Sequence, residues 1–132
     1  MATVLIVDDF KAGQRLVSAM LKFTDCEVVG LDSAAAALDY LHNHPVDMVI
    51  TDIDMPDMDG IELCQSIKQH PDFYRIPVAM LTAHHSNNTR YASMEAGADG
   101  YLTKPVSKPE LVRMVERMLG SAESDAHQIG VA

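Results

Sequence analysis

An α/β fold around a parallel β-sheet is predicted by three features of this sequence. Short, continuous apolar runs rich in β-branched residues recur along the chain, and such runs are typical of strands buried on both faces of a parallel sheet. Segments with the apolar period of a helix lie between these runs. The connections are short, and strand and helix alternate five times. This is the pattern of right-handed crossovers that cover both faces of a parallel sheet with helices.

Five apolar runs are predicted as the strands of the sheet. In chain order they are residues 4–7, 26–30, 48–51, 78–82 and 100–103. The second and the fifth run are the weaker candidates because they are more polar.

The first two helices are predicted from apolar spacing. The first is expected over roughly residues 11–24. Its apolar stripe has the spacing i, i+4, i+7 at Leu16, Met20 and Phe23, with Val17 and Leu21 alongside. The second helix is alanine-rich and begins after Ser33, whose hydroxyl is a typical N-cap.

The other three helices carry start and stop signals. The third is predicted around residues 61–67, and the fourth over residues 88–96 with Gly97 as its end. The last begins at Ser-Lys-Pro-Glu, residues 107–110, which reads as a capping box with proline in the first turn. Gly120 is predicted to end this helix.

The length of the chain predicts one domain. It has 132 residues, of which 48% are hydrophobic, and this is enough to build a core without disulfides or a structural metal. The domain is predicted over residues 1–120. After it the composition becomes polar, so residues 121–132 are predicted to be a flexible C-terminal tail or the start of a linker.

Composition and charge limit the classes of partner. A formal net charge of −9 argues against direct nucleic-acid binding, which needs clustered lysine and arginine. No apolar run is long enough to span a membrane, and no signal peptide is evident. Cys26 and Cys64 have no metal-type spacing. A cytoplasmic protein is therefore expected.

The chemically reactive residues follow the strands. Asp8 and Asp9 come after the first strand, Asp52 after the third, Thr82 ends the fourth, and Lys104 follows the fifth. Ligands of open α/β sheets bind beyond the carboxyl ends of the strands. The fold would therefore bring three carboxylates, a hydroxyl and an ammonium together at one edge.

This set of groups has a defined chemistry. Three neighbouring carboxylates repel each other unless a cation compensates them, and oxygen ligands with room for water favour Mg²⁺. An ammonium and a hydroxyl can hold the oxygens of an anion. Together they are the parts of a phosphoryl-transfer site in which a carboxylate is the nucleophile.

Over residues 3–119 the sequence resembles the receiver domains of two-component response regulators. Four motifs carry the resemblance in the family's order and spacing: Val-Asp-Asp at 7–9, Thr-Asp-Ile-Asp-Met-Pro-Asp-Met-Asp-Gly at 51–60, Leu-Thr-Ala at 81–83, and Lys-Pro at 104–105. The implied fold is a flavodoxin-like (βα)5 three-layer sandwich with strand order 2-1-3-4-5. The chain would be a single-domain, chemotaxis-type protein or a domain of a longer regulator.

The resemblance implies roles for the acidic residues. Asp52 would accept a phosphoryl group from a phosphohistidine of a histidine kinase or a phosphotransfer protein. Asp9 and Asp52 would ligate Mg²⁺, or Mn²⁺, together with the backbone carbonyl of Asp54, and Asp8 would act mainly through bound water. Lys104 would contact the phosphoryl oxygens.

The resemblance also implies a switch. Thr82 would contact the phosphoryl group and move toward it, and Tyr101 would rotate inward. Asp54 and His84 occupy positions that set the rate at which the phosphoryl group is lost. The peptide bond before Pro105 would be cis.

The resemblance implies that the output is carried by a downstream effector protein. The fourth helix, fifth strand and fifth helix would form the surface that changes, and it could also support a homodimer. The partner surface is predicted at Arg90, Tyr91, Lys108, Arg113 and Arg117. Neither nucleic acid nor a membrane is an expected partner.

Two other functions remain open at this point. Asp52 and Asp54 also resemble the Asp-x-Asp nucleophile motif of haloacid-dehalogenase-like phosphatases, although that motif normally follows the first strand. A receiver-like module that binds partners without being phosphorylated is the other alternative. Asp57 and Asp59 are assigned to the loop and the start of the third helix, where acidic side chains suit the helix dipole.

Overall fold

The computed structural model describes residues 1–22 and 24–131, with side chains for 1–22 and 24–120. Five strands and five helices alternate along the chain. They are β1 (Ala2–Val7), α1 (Lys11–Met20), β2 (Cys26–Leu31), α2 (Ala34–Asn43), β3 (Met48–Thr51), α3 (Gly60–Gln69), β4 (Val78–Thr82), α4 (Asn87–Glu95), β5 (Gly100–Thr103) and α5 (Lys108–Val131). The strands form one sheet of order β2-β1-β3-β4-β5, in which all neighbours are parallel. The predicted fold class and strand order are confirmed.

The register of the sheet brings the strand ends to the same level. Val7 of β1 lies beside Thr51 of β3, and Thr82 of β4 lies beside Thr103 of β5. The residues that follow β1 and β3 therefore leave the sheet side by side. This register positions the acidic residues described below.

The core consists of one apolar cluster on each face of the sheet. Because side chains alternate along a strand, Leu5 and Val7 of β1 belong to one cluster, and Val4 and Ile6 belong to the other. The first cluster includes buried residues of α2 and α3, and the second includes buried residues of α1 and α5. The chain is thus a three-layer sandwich, as predicted.

The buried face of α1 differs from the predicted apolar stripe. The helix ends at Met20, and Phe23 lies outside the described residues. Leu16 is 58% exposed, whereas Gln14, Val17 and Leu21 are buried. The prediction is confirmed for Val17 and Leu21 and for Met20, which packs against the core, and it was wrong for Leu16. The core-facing stripe also contains a polar residue, Gln14, which apolar periodicity does not count.

Gln14 is buried because its carboxamide joins the ends of two strands. Its Nε2 donates to the carbonyl oxygens of Asp8 and Leu31, at 3.2 and 2.9 Å. Gly30 of β2 provides the space, since a Cβ at this position would lie 2.7 Å from Gln14 Cδ and would overlap Oε1. Both partners of the amide are backbone carbonyls, which satisfies a polar group inside the fold.

The predicted caps of the second and fourth helices are confirmed, and Asp59 lies at the start of the third helix as predicted. Ser33 Oγ accepts a hydrogen bond from the Ala36 N–H at the start of α2. Asp59 and Glu62 form a reciprocal capping box at the start of α3. Gly97 follows α4 with φ of +96°, the left-handed conformation that glycine adopts after a helix.

The end of α5 differs from its prediction. Ser107 Oγ accepts a hydrogen bond from the Glu110 N–H at the predicted start, but the helix continues through Gly120 to Val131. Gly120 is not among the described residues with positive φ, so it forms no left-handed cap. A glycine inside a helix costs only about 1 kcal/mol relative to alanine, which a long helix tolerates.

Among the described residues, no helix has both the length and the apolarity needed to cross a membrane.

The two free cysteines lie in different environments and should differ in reactivity. Cys64 is buried in the core and Cys26 is half-buried. Burial raises the pKa of the Cys64 thiol to about 11, so very little of the nucleophilic thiolate exists at pH 8. We expect iodoacetamide at pH 8 to alkylate Cys26 and leave Cys64 unmodified in the native protein. Peptide mass spectrometry measures this, with the guanidinium-unfolded chain as the control in which both thiols react.

Candidate functional site

Three carboxylates meet at the carboxyl edge of the sheet. Asp8 follows β1, Asp9 comes next, and Asp52 follows β3. Each offers an oxygen, and these oxygens lie within 4.8 Å of one another. Asp8 is buried, Asp52 is half-buried and Asp9 is exposed. The structure thus brings together the three acidic residues that the sequence placed at the strand ends.

Backbone and lysine contacts fix the two inner carboxylates in the same way. Asp8 Oδ1 accepts a hydrogen bond from the Phe10 N–H at 2.9 Å, and Asp52 Oδ1 accepts one from the Ile53 N–H at 2.7 Å. The Oδ2 atoms of Asp8 and Asp52 each lie 3.4 Å from Lys104 Nζ. One ammonium therefore lies between two carboxylates, with the third carboxylate near by.

Asp52 is the electrostatically strained member of this cluster. Burial raises the pKa of Asp52 above its usual value, and the negative charge of Asp8 adds to this. The charge of Lys104 and the hydrogen bond from Ile53 act in the opposite direction without outweighing burial. The site carries more negative than positive charge. The atoms that could ligate a metal ion are carboxylate oxygens, which suit a hard divalent cation.

The strain at Asp52 predicts that Asp52→Asn stabilises the metal-free protein, because the neutral amide avoids desolvation of a charge. Since the folded pKa lies above the unfolded one, the folded state holds more protons between the two values. The contribution of Asp52 to the free energy of unfolding therefore falls as pH rises through that window, and Asp52→Asn removes this fall. Urea unfolding in EDTA measures both effects. Asp72→Asn, an exposed carboxylate, is the matched control and should change the stability by less than about 0.5 kcal/mol.

Four residues beside the carboxylates are connected by polar contacts: Thr82, His84, Asp54 and Tyr101. Thr82 is buried at the end of β4, and its Oγ1 accepts a hydrogen bond from the His84 N–H at 3.1 Å. His84 Nε2 lies 2.6 Å from Asp54 Oδ2. The Tyr101 hydroxyl donates to the His84 carbonyl oxygen at 3.1 Å. The Lys104–Pro105 peptide bond is cis.

The comparison with known families agrees with this geometry. The family model described as "Response regulator receiver domain" matches residues 4–116. This chain belongs to the receiver domain family. Receiver domains are the signalling switches of two-component systems, and the predicted family is confirmed.

This receiver domain is similar to parts of longer curated relatives and to solved chains of about its own length. It is 40% identical to the heme response regulator HssR of Staphylococcus epidermidis over 119 residues, which are 90% of this chain and 52% of HssR. It is 35% identical to the sensor histidine kinase GacS of Pseudomonas protegens, covering 90% of this chain but 13% of GacS. The chain thus spans about half or less of the length of these relatives.

Among solved structures, a putative response regulator from Chloroflexus aurantiacus shares 35% identity with a TM-score of 0.86, covering 90% of this chain and 98% of the other. The chemotaxis response regulator CheY4 of Vibrio cholerae shares 30% identity with a TM-score of 0.83, covering 90% of this chain and 99% of the other.

One of the predicted partner residues, Arg90, contacts Tyr101. The Tyr101 ring is half-buried, and the Arg90 guanidinium lies 4.8 Å from its centroid, within cation–π distance. Burial raises the pKa of the Tyr101 hydroxyl, and the charge of Arg90 opposes this. The five residues predicted to contact a partner are all exposed on α4 and α5: Arg90, Tyr91, Lys108, Arg113 and Arg117.

The sequence did not reveal the role of two residues that position the backbone of the site. Gln14 holds the carbonyl of Asp8, and a polar residue in an amphipathic helix normally indicates the solvent face. Gly60 lies against the backbone of the loop that begins at Asp52. A Cβ at Gly60 would overlap Asp52 O and lie 2.9 Å from Asp52 C and 3.0 Å from Ile53 Cα. The sequence showed Gly60 only as the last residue of the motif at 51–60, with no indication of this close backbone contact.

Proposed function

We propose that this receiver domain accepts a phosphoryl group on Asp52 from the phosphohistidine of a histidine kinase or a histidine phosphotransfer protein. The observation that carries the proposal is the setting of the Asp52 carboxylate. It follows the central strand β3, shares Lys104 with Asp8, and is oriented by the Ile53 N–H. A carboxylate that is oriented and accessible, with an ammonium beside it, is equipped to attack phosphorus.

In the proposed step, an oxygen of Asp52 attacks the phosphorus atom and the bond between phosphorus and the imidazole nitrogen breaks. The nitrogen keeps the electron pair, and the new bond makes Asp52 an aspartyl phosphate. Lys104 faces the Oδ2 atoms of both inner carboxylates, so its ammonium can move to the oxygens of the transferred group. It supplies positive charge where negative charge accumulates.

We propose that four groups hold Mg²⁺: the side chains of Asp8, Asp9 and Asp52 and the backbone carbonyl of Asp54. The three carboxylate oxygens within 4.8 Å of one another fit a hard cation that keeps some of its water. When bound, the ion would neutralise charge on the phosphoryl oxygens. Mn²⁺ has the same ligand preference, and the solved structure of the response regulator Rcp1, 35% identical, is described as its Mn²⁺-bound form.

The proposed switch uses Thr82 and Tyr101. The Thr82 hydroxyl now accepts from the His84 N–H, and it would turn toward the phosphoryl group. Tyr101 would then leave the His84 carbonyl and rotate inward. The surface of α4, β5 and α5 would change for a downstream effector protein or a second copy of the chain. We further propose a cytoplasmic location and a receiver domain that ends near residue 120, with residues 121–132 as a tail or a linker.

Intact-mass spectrometry tests the phosphoacceptor. The protein is incubated with acetyl phosphate, with and without Mg²⁺, beside Asp52→Asn. We expect one phosphoryl adduct that requires both Mg²⁺ and Asp52. Continuous hydrolysis of p-nitrophenyl phosphate would instead support the haloacid-dehalogenase-like alternative with Asp52 and Asp54. A folded protein that binds Mg²⁺ and forms no adduct would be a phosphorylation-independent interaction module.

A further inference from the structure

The Asp8 carboxylate lies against the first turn of α1. Its Oδ1 accepts a hydrogen bond from the Phe10 N–H at 2.9 Å, and its Oδ2 lies 3.4 Å from Lys104 Nζ. On the side of α1 the neighbour is Gly13, where a Cβ would lie 2.7 Å from Asp8 Oδ2 and 3.5 Å from Asp8 Cγ. Ordinary contacts of a Cβ atom begin at 3.4 Å, so the carboxylate oxygen occupies space that any side chain at position 13 would need.

Glycine at position 13 is not explained by the helix itself. Gly13 is the third residue of α1 (Lys11–Met20), and glycine is a poorer helix former than alanine. It is not among the described residues with positive φ, so no left-handed conformation requires glycine there. The close approach of Asp8 is therefore the contact that excludes a side chain at this position.

From this packing we propose that Gly13 is a positioning residue of the carboxylate cluster. The absence of a side chain lets the Asp8 carboxylate lie beside α1, with Oδ2 facing Lys104 and one oxygen within 4.8 Å of oxygens of Asp9 and Asp52. Because Oδ1 is fixed by the Phe10 N–H, a Cβ at position 13 would turn the carboxylate and move Oδ2. The role in metal binding rests on the proposed function, in which Asp8 is one of the groups that hold Mg²⁺.

The expected effect is a change in metal affinity. A residue that orients a metal ligand without touching the ion typically changes the affinity by about ten- to a hundredfold when it is replaced. In Gly13→Ala, Asp8 keeps its charge and is displaced rather than removed. We therefore expect the lower end of this range, which is about tenfold weaker Mg²⁺ binding. Isothermal titration calorimetry measures this affinity without phosphorylation of Asp52.

A double-mutant cycle with Asp8→Ala separates positioning from a general effect on the fold. Asp8→Ala removes the oxygen that the new methyl group meets, so Gly13→Ala should weaken Mg²⁺ binding no further in that background. If Gly13→Ala alone unfolds the protein, the double variant should fold for the same reason. Ala12→Gly is the matched control, because Ala12 is an exposed neighbour in the same turn of α1. It weakens the helix and should leave the Mg²⁺ affinity unchanged.

Three results would overturn the role of Gly13. They are an unchanged Mg²⁺ affinity in Gly13→Ala, an equal loss of affinity in the Asp8→Ala background, and a double variant that stays unfolded when Gly13→Ala does.

A crystal structure of metal-free Gly13→Ala gives a readout that does not depend on Mg²⁺. We expect Asp8 Oδ2 to be displaced from its present place beside position 13, and an Asp8 carboxylate in its original position would also overturn the proposal. If the original protein bound no Mg²⁺, the proposed metal site alone would fall, and the crystal structure would still decide whether Gly13 positions Asp8.

Discussion

Lys104→Met should lower the rate of phosphorylation of Asp52 on the order of a hundredfold and tighten Mg²⁺ binding about tenfold. The two effects have opposite signs because Lys104 has two roles. In the proposed function its ammonium neutralises charge on the transferring group, and it would also compete with a metal ion for the Oδ2 atoms of Asp8 and Asp52, which lie 3.4 Å away. Methionine keeps the length of the side chain without the charge.

Two assays separate these roles. Intact-mass spectrometry over time gives the phosphorylation rate with acetyl phosphate at saturating Mg²⁺, and isothermal titration calorimetry gives the Mg²⁺ affinity. Lys22→Met is the control, because Lys22 is exposed in the connection after α1. Weaker Mg²⁺ binding in Lys104→Met would contradict this account and would indicate that Lys104 organises the carboxylates.

Gly60→Ala is expected to lower the free energy of unfolding by about 3 kcal/mol and to abolish phosphorylation of Asp52. The added methyl group would overlap the Asp52 carbonyl oxygen and crowd Asp52 C and Ile53 Cα. These are backbone atoms, so no side-chain rotation relieves the overlap. The loop has to shift, and the Asp52 carboxylate shifts with it.

Gly120→Ala is the matched comparison for Gly60→Ala. A Cβ at Gly120 meets nothing within 4 Å, and the residue lies inside α5. We expect this change to raise the stability by about 0.5–1 kcal/mol because alanine is the better helix former. Urea unfolding compares the two. A Gly60→Ala variant as stable as the original protein would show that the loop has room for a side chain.

The fold could be predicted from the sequence because the strongest sequence signals for it are local. Strands such as Met48–Thr51 and Val78–Thr82 are fully buried, so they read as continuous apolar runs without alternation. The caps at Ser33 and Gly97 depend on residues next to the helix ends. The burial of Gln14 on α1 could not be predicted from the sequence. Its side-chain amide donates to the carbonyls of Asp8 and Leu31, which come near Gln14 only in the folded chain.

The composition of the site was predictable, but its internal contacts were not. Parallel strands end at one edge, so Asp8, Asp52 and Lys104 could be placed together from the strand ends alone. The contact of Asp54 with His84 joins positions 30 residues apart in two loops. Neither apolar period nor turn chemistry specifies how two loops approach each other, so this contact required the structure.

The packing of Gln14 against Gly30 restricts the order in which substitutions can accumulate as such a chain diverges. Any side chain at position 30 requires the Gln14 carboxamide to shift. Shortening Gln14 first removes this obstacle. The Asp8 carbonyl then loses the amide donor, whereas Leu31 O still accepts from the Asp8 N–H. Lineages that enlarge position 30 therefore depend on a movement or a change of the side chain at position 14, and this dependence makes the two sites an epistatic pair.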